Sequence, residues 1–376
     1  MPRNTFAEIN LANIAHNVRA VRFALHKDTK IMAVVKADAY GHGMIPVARA
    51  ALRAGAGWLA VAMPEEALDL RENGFDCPIL VMGKSNVSQK MLAVQLGLAS
   101  SVSDIDEIAE YAAIAREIKK TASVHVKVDT GMGRIGVRSM EDFGEILGAF
   151  RMLENVRFDG LFTHFACSDA GDKAFTKKQD ALFRDYIRAA REAGFSPMAH
   201  ASSSAAVMDL PEMNYDAIRL GISLYGYYPS EHVSRKTADL KPVMRVVTEI
   251  SHIKEIDAGD TVGYGATYTA DKKTTVATLP IGYGDGYSRL LSGKGRVIVI
   301  ADGLAHYANV IGRVCMDQIM IDITGIKNAK CGGRVVVMGA EGDKKVDADE
   351  IAHLTGTISY EVLLSYSKRV PRVFIG

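Results

Sequence analysis

Ile31-Met-Ala-Val-Val35 runs into Lys36-Ala-Asp-Ala-Tyr40-Gly-His-Gly43. Five apolar residues in a row, closed by a polar and glycine-rich break, read as a strand buried on both faces. The chain then takes up helical spacing over Met44–Ala54. Working outward, the same alternation recurs. Strand-like runs lie at Ile31–Lys36, Trp58–Ala62, Ile79–Gly83, Leu98–Val102, Ser123–Asp129, Phe158–His164, Pro197–Ser202 and Tyr215–Gly221. Helical periodicity fills Glu65–Asn73, opened by Pro64 and closed by Gly74, then Ile105–Lys120, Met140–Leu153 and Phe175–Ala193. Such a series predicts the α/β class and a (β/α)8, TIM-like barrel. Periodicity alone leaves an open doubly wound sheet as the alternative.

The pattern changes near residue 235. Ser230–Leu240 is polar and mixed in charge, as a linker is. Beyond it, strand-like runs come thickly at Val243–Ile256, Thr261–Tyr264, Thr275–Leu279, Arg296–Ala301, Gln318–Ile323 and Arg334–Met338, with one clear helix at Asp347–Thr355. The expected organisation is a barrel domain over 1–236 and a smaller, mostly-β domain over 237–376.

The 376 residues are 48% hydrophobic and 24% charged, a globular composition. Lys and Arg number 45 against 44 Asp and Glu, a net charge of +1. That balance argues against nucleic acid or an anionic membrane as a partner. Cys77, Cys167, Cys315 and Cys331 form no C-x-x-C pair, which suits a reducing compartment. No apolar run approaches the ~18 residues of a membrane span, and Met1–Asn10 has no apolar signal core. A cytoplasmic location is expected.

In a barrel the chemistry sits at the carboxyl ends of the strands. There the sequence places Lys36, then Lys127 and Asp129 followed by Arg134, then Thr163-His164, His200 with Ser202–Ser204, and Arg219 before Gly221. The mouth is cationic, as an anionic phosphate ligand requires. Lys36 leaves a buried strand, and burial favours the neutral amine that forms a Schiff base. A lone lysine at a strand end is ordinarily just solvated; Tyr40 and the two glycines shift the balance. His164 and His200 lack metal-ligand spacing, so no metal is expected. Gly131-Met-Gly-Arg-Ile-Gly136 matches G-x-G-x-x-G and opens a dinucleotide reading, that of an NAD-dependent dehydrogenase. It sits at the fifth unit rather than the first, and Arg134 occupies the turn.

Further motifs are Gly263-Tyr264-Gly-Ala-Thr-Tyr268, Cys315-Met316-Asp317-Gln318 and Ile358-Ser-Tyr360-Glu361. With Ala33-Val-Val-Lys36-Ala-Asp-Ala-Tyr40-Gly-His-Gly, Lys127-Val-Asp-Thr-Gly-Met-Gly-Arg134, Thr163-His164-Phe, Arg219-Leu-Gly-Ile-Ser-Leu-Tyr-Gly and Arg369-Val-Pro-Arg372, they follow one order over nearly the whole chain. In that order the sequence resembles the alanine racemase family, fold-type III pyridoxal-phosphate enzymes. The resemblance implies a homodimer that interconverts L-alanine and D-alanine, with pyridoxal 5'-phosphate on Lys36. It implies Lys36 as one acid/base and Tyr264 of the partner subunit as the other. It further implies Arg219 at the pyridine nitrogen, Arg134 at the cofactor phenolate and the substrate, and His164 between Arg219 and Tyr264. Tyr40, Ser204, Gly221, Ile222 and Tyr360 are implied around the phosphate, and Met316 and Asp317 as substrate contacts from the other chain. Lys127 matches a position carbamylated in some members. Two departures are Ser203, where an Asn is frequent, and Leu220, where a Pro is frequent; the first leaves the phosphate serine open among Ser202–Ser204.

Racemisation needs a proton removed from one face of the α-carbon and one returned to the other, hence two flanking groups. Lysine and tyrosine serve if their pKa values, both near 10, are lowered. The role implied is supply of D-alanine for peptidoglycan or its degradation. Related racemases of broader specificity (serine, lysine), a decarboxylase and a non-catalytic cofactor carrier are the alternatives. The carrier lacks a β domain, which residues 237–376 supply.

Overall fold

A computed structural model describes residues 4–376. Its first strand, β1 (Phe6–Asn10), does not join the barrel. Ala7 and Ile9 are fully buried, and β1 pairs antiparallel with Met244–Glu249 and parallel with Arg372–Ile375. Glu8 between them binds Arg245 at 2.7 Å and also Arg334. The chain accordingly divides into two compact units that are not sequential. One holds Ala12–Ala39 and Met44–Lys241; the other holds the amino-terminal stretch through Leu11, Tyr40–Gly43 and Pro242–Gly376. The expectation that all of 1–236 belongs to the barrel is corrected on this point. A five-residue strand with two inward apolar side chains carries too little pattern to show which sheet it joins.

Within the first unit, β2 (Lys30–Val34), β3 (Trp58–Val61), β4 (Ile79–Val81), β5 (Ala99–Val102), β6 (Ala122–Lys127), β7 (Val156–Phe162), β8 (Met198–His200) and β9 (Ala217–Leu220) form a closed parallel barrel. Ile31 of β2 lies opposite Ile218 of β9, which closes the ring and excludes the open sheet. Strands buried on both faces need no polar alternation, and Ile79–Val81 and Ala99–Val102 are buried at every position. Two helices, Leu11–Phe23 and Val87–Gln95, have no counterpart among the expected elements. The second opens with a capping box: Gln89 N–H donates to the Asn86 side chain, and Asn86 N–H donates to Gln89 Oε1, each at 3.0 Å.

The barrel interior is not wholly aliphatic. His125 and His200 are fully buried. His200 stacks on Phe162 with centroids 4.8 Å apart and planes 7° off parallel. The β6–β7 register shifts between Val124, opposite Phe158, and His125, opposite Gly160, so Asp159 of β7 is the extra residue of a bulge that sets a glycine against the His125 ring.

The second unit is built on a ten-stranded sheet. The run Val243–Ile256, expected as one strand, is two: Met244–Glu249 pairs with β1 and with Arg334–Glu341, and His252–Ile256 pairs with Thr274–Leu279. Leu304–Ile311, another strand the sequence pattern does not announce, forms a hairpin with Arg296–Ala301. A second helix, Ser359–Ser365, follows Ala348–Thr355. Among the described residues, no helix is long and apolar enough to cross a membrane.

Candidate active site

Lys36 stands two residues beyond the end of β2 and opens the short helix Lys36–Gly41. Its turn is left-handed. Ala37, Asp38, Ala39 and Tyr40 have φ of 53°, 51°, 54° and 54°. Each non-glycine residue held there costs ~1–2 kcal/mol, so the surroundings must fix the turn. Ala39 N–H donates to Val35 O at 2.9 Å, Met44 N–H to Asp38 Oδ1 at 2.7 Å, and Ala37 N–H to Glu66 Oε1 at 2.6 Å. Glu66 Oε2 accepts Ala62 N–H at 2.7 Å, which ties the ends of β2 and β3 together. In the sequence Glu66 looks like one more acid in a helix's first turn, and nothing there marks it out. Ala37→Gly should therefore not cost the ~1 kcal/mol usual in a right-handed helix. Relief of strain offsets the greater freedom of the unfolded chain, and urea denaturation should show a change from zero to about 1 kcal/mol in favour of the variant. A loss of about 1 kcal/mol would contradict the strain argument.

Burial lowers the Lys36 pKa, the Arg134 charge lowers it further, and Glu66 partly offsets both. Lys127, at the end of β6, is buried and lies over the Phe162 ring at 5.1 Å. Burial first, then Arg219 and Arg134, push it down to about 7. Four cations, Lys36, Lys127, Arg134 and Arg219, thus depress one another or their neighbours in one mouth.

Arg219, on β9, is 4% exposed. Its Nη1 donates to His200 Nδ1 at 2.7 Å and His200 O at 3.1 Å. Its Nη2 donates to Thr163 O and Ala201 O, each at 2.8 Å, and to His164 Nδ1 at 3.2 Å. No carboxylate touches it among the described residues. Burial pushes it down to about 9. Because arginine only donates, His164 and His200 must accept at Nδ1 and carry their protons on Nε2. Burial and the Arg219 charge hold both well below the usual histidine range, so both are neutral.

The three serines separate. Ser202 Oγ donates to Met213 O at 2.8 Å. Ser204 Oγ instead accepts from Gly221 N–H and Ser223 N–H, each at 3.2 Å. Both amides thus converge on Ser204 Oγ at the end of β9, beside Ile222, and the long 3.2 Å contacts to a hydroxyl, unlike those to the Asp129 carboxylate, are ones an anionic phosphate oxygen would displace. The G-x-G-x-x-G segment is different. Asp129 accepts from Gly131 N–H at 3.0 Å and from Gly133 N–H at 3.0 Å, so the amides a pyrophosphate would need are already engaged. Val137 returns to hydrogen-bond Lys127 O. This loop is a strand-end turn on a barrel, and the dinucleotide reading fails.

In the second unit, Tyr264 is 70% exposed and is flanked by Gly263 and Gly265 at φ of 77° and 72°. Met316 is exposed, and Asp317 pairs with Arg369 at 2.7 Å. Tyr40 is buried and raised to about 12; its ring lies 6.0 Å from that of Tyr360.

The residues fit an anionic aldehyde cofactor: an amine held toward neutrality, a surplus of buried cation, a guanidinium free of carboxylates and an amide–hydroxyl cluster. Comparison with known proteins points the same way. Residues 9–229 match the alanine racemase N-terminal domain and 243–374 its C-terminal domain. An alanine racemase of Clostridium perfringens (strain SM101) is 43% identical over 373 residues, 99% of this chain and 95% of that one. The solved alanine racemase of Clostridium difficile 630 superposes with a TM-score of 0.92 at 38% identity, covering 100% of this chain and 96% of the other. A histidine racemase from Leuconostoc mesenteroides matches with a TM-score of 0.90 at 29% identity, covering 100% and 98%. This chain belongs to the alanine racemase family.

Proposed function

We propose that this protein is a pyridoxal-phosphate-dependent racemase that interconverts L-alanine and D-alanine. The observation that carries the reading is Lys36: an amine with lowered pKa, at the end of the first barrel strand, in a mouth of cations. Lys36 holds the cofactor, Arg219 faces its ring nitrogen, and Tyr40, Ser204, Gly221, Ile222 and Tyr360 take its phosphate. When bound, pyridoxal phosphate supplies the electron sink for the pair left on the α-carbon. The protein supplies the proton transfers. Lys36 Nζ removes or returns the proton on one face, and the phenol of Tyr264 of the partner subunit does so on the other. His164, neutral and with its proton on Nε2, links that phenol to Arg219. Arg134 orients the substrate carboxylate and lowers the Lys36 pKa, while Met316 and Asp317 border the substrate from the partner chain. The dimer is therefore part of the site. Borohydride treatment of the purified protein should fix a label on Lys36, and the sample should racemise alanine; a label elsewhere ends this reading.

A racemase for another amino acid is the second reading, favoured by the histidine racemase among the structural relatives. Rates across a panel of L-amino acids separate the two. All four cysteines are free, which supports a cytoplasmic enzyme. Its product is either made for peptidoglycan or consumed.

Lys127 is the proposed carbamylation site. With its pKa near 7, the neutral amine adds to carbon dioxide, an N–C bond forms and one proton is released. The resulting anion then offsets Arg134 and Arg219. Protonation competes as pH falls, so 13C-bicarbonate NMR should show the carbamate at about pH 8 and its loss below about pH 7. No signal on the alkaline side would exclude it.

A further inference from the structure

The histidine pair inside the barrel has no part in the chemistry proposed above, yet it reaches Arg219. His200 Nδ1 accepts from Arg219 Nη1 at 2.7 Å. His200 Nε2 and His125 Nδ1 are 2.9 Å apart. Arginine cannot accept, so the sequence of donors runs one way: Arg219 into His200, His200 into His125. His125 Nε2 then carries a proton for which no acceptor stands within reach among the described residues.

Room for this pair has been made at several points. A Cβ added at Gly160 would collide with the His125 ring. The β7 bulge at Asp159 brings Gly160 opposite His125. Phe162 stacks on one side of His200, and Trp58 lies 5.8 Å from His125. Barrel interiors ordinarily hold branched aliphatic side chains, and buried imidazoles lose hydration that only hydrogen bonds restore. Neutral rings suit the place, as burial holds His125 down at about 4.

We propose that His200, held by His125 in the slot left by Gly160, is a positioning residue for Arg219. It fixes the roll of the guanidinium by taking an Nη1 proton. With Nη2 held by Thr163, Ala201 and His164, the Nε–H is left as the donor toward the cofactor ring. The inference rests on the proposed cofactor site.

Two substitutions oppose packing to acceptor geometry. His200→Phe keeps the ring and its stack on Phe162 but removes Nδ1. His200→Asn loses the ring but places Oδ1 where Nδ1 was. Pyridoxal 5'-phosphate is titrated into each apoprotein, and thermal unfolding is measured on the same samples. Positioning predicts that His200→Phe, which keeps the ring stack, melts no lower than His200→Asn yet binds the cofactor about tenfold more weakly than the parent, the effect of one lost charged hydrogen bond. It predicts that His200→Asn melts lower yet binds within about threefold of the parent. Parent-like affinity in His200→Phe, or weaker binding in His200→Asn than in His200→Phe, overturns it. Should His200→Phe not fold, His125→Phe against His125→Asn is expected to show the same opposed pattern, and its absence overturns the proposal equally. If the parent itself takes no cofactor on Lys36, the functional reading fails as well, which borohydride labelling of the parent distinguishes.

Discussion

Dimers that pair a Lys36→Ala chain with a Tyr264→Phe chain should recover about half the parent activity, while each homodimer should be inactive. The arithmetic follows from a site assembled across a two-fold axis. In the mixed dimer, one site has alanine at 36 and phenylalanine at 264, and is dead twice over. The other joins the intact Lys36 of one chain to the intact Tyr264 of the other. The reason to expect this division lies in exposure. Tyr264 is 70% exposed in the single chain, held up between two glycines with positive φ. In the proposed dimer a partner surface would enclose it and exclude water from the proton transfer. Loss of Lys36 removes the amine altogether, and a fall of at least ~10⁴-fold is expected for a group that holds the cofactor and moves the proton. Tandem affinity tags isolate the mixed dimer, and circular dichroism follows the racemisation of L-alanine. No activity in verified mixed dimers, with both parents folded, would place the two groups in one chain and defeat the shared site.

The barrel was legible because parallel strands buried on both faces announce themselves as unbroken apolar runs. All eight strand runs fall on barrel strands, and Ile31–Val35 leads directly to Lys36. Four strand ends deliver Lys36, Lys127, His164 and Arg219 to one mouth, as position in the β/α unit foretold. What escaped had weak local pattern or depended on distant partners. The five residues of β1 reveal their sheet only through Met244–Glu249 and Arg372–Ile375. The left-handed turn after Lys36 is built from Ala, Asp, Ala and Tyr, none of which signals positive φ as glycine does. Its restraint, Glu66, is 29 positions away in sequence. The choice among Ser202–Ser204 depended on whether Met213 or the amides of Gly221 and Ser223 stand opposite. Spacing cannot show that.

Arg219→Glu should cut alanine racemisation by on the order of 10²-fold, the scale of losing one preorganised electrostatic contact, and should raise keto-acid formation per racemisation event. Both follow from what arginine can and cannot do. In the parent, Arg219 donates to Thr163 O, His200 O, Ala201 O and two imidazole nitrogens, and cannot accept. A cofactor ring nitrogen facing such a group, as proposed, would stay unprotonated, and the electron sink it supplies would be weak. Lys36 and Tyr264, the proposed proton donors, would then return the proton to the α-carbon. A carboxylate at 219 reverses the logic, since it retains a proton on the ring nitrogen and strengthens withdrawal. Protonation away from the α-carbon, the route to pyruvate, then competes. His164 and His200 also change: with the cation gone and an anion in its place, both pKa values rise, because Arg219 is among the causes holding them down. The orphaned carbonyls of Thr163 and Ala201 should lower stability by a few kcal/mol, so unfolding must be measured alongside. Arg219→Lys separates charge from geometry, since it keeps a donor and loses the planar fork. It should slow racemisation without raising pyruvate. A glutamate variant whose pyruvate yield per racemisation matches the parent's would show that the charge opposite the ring nitrogen does not govern where the proton goes.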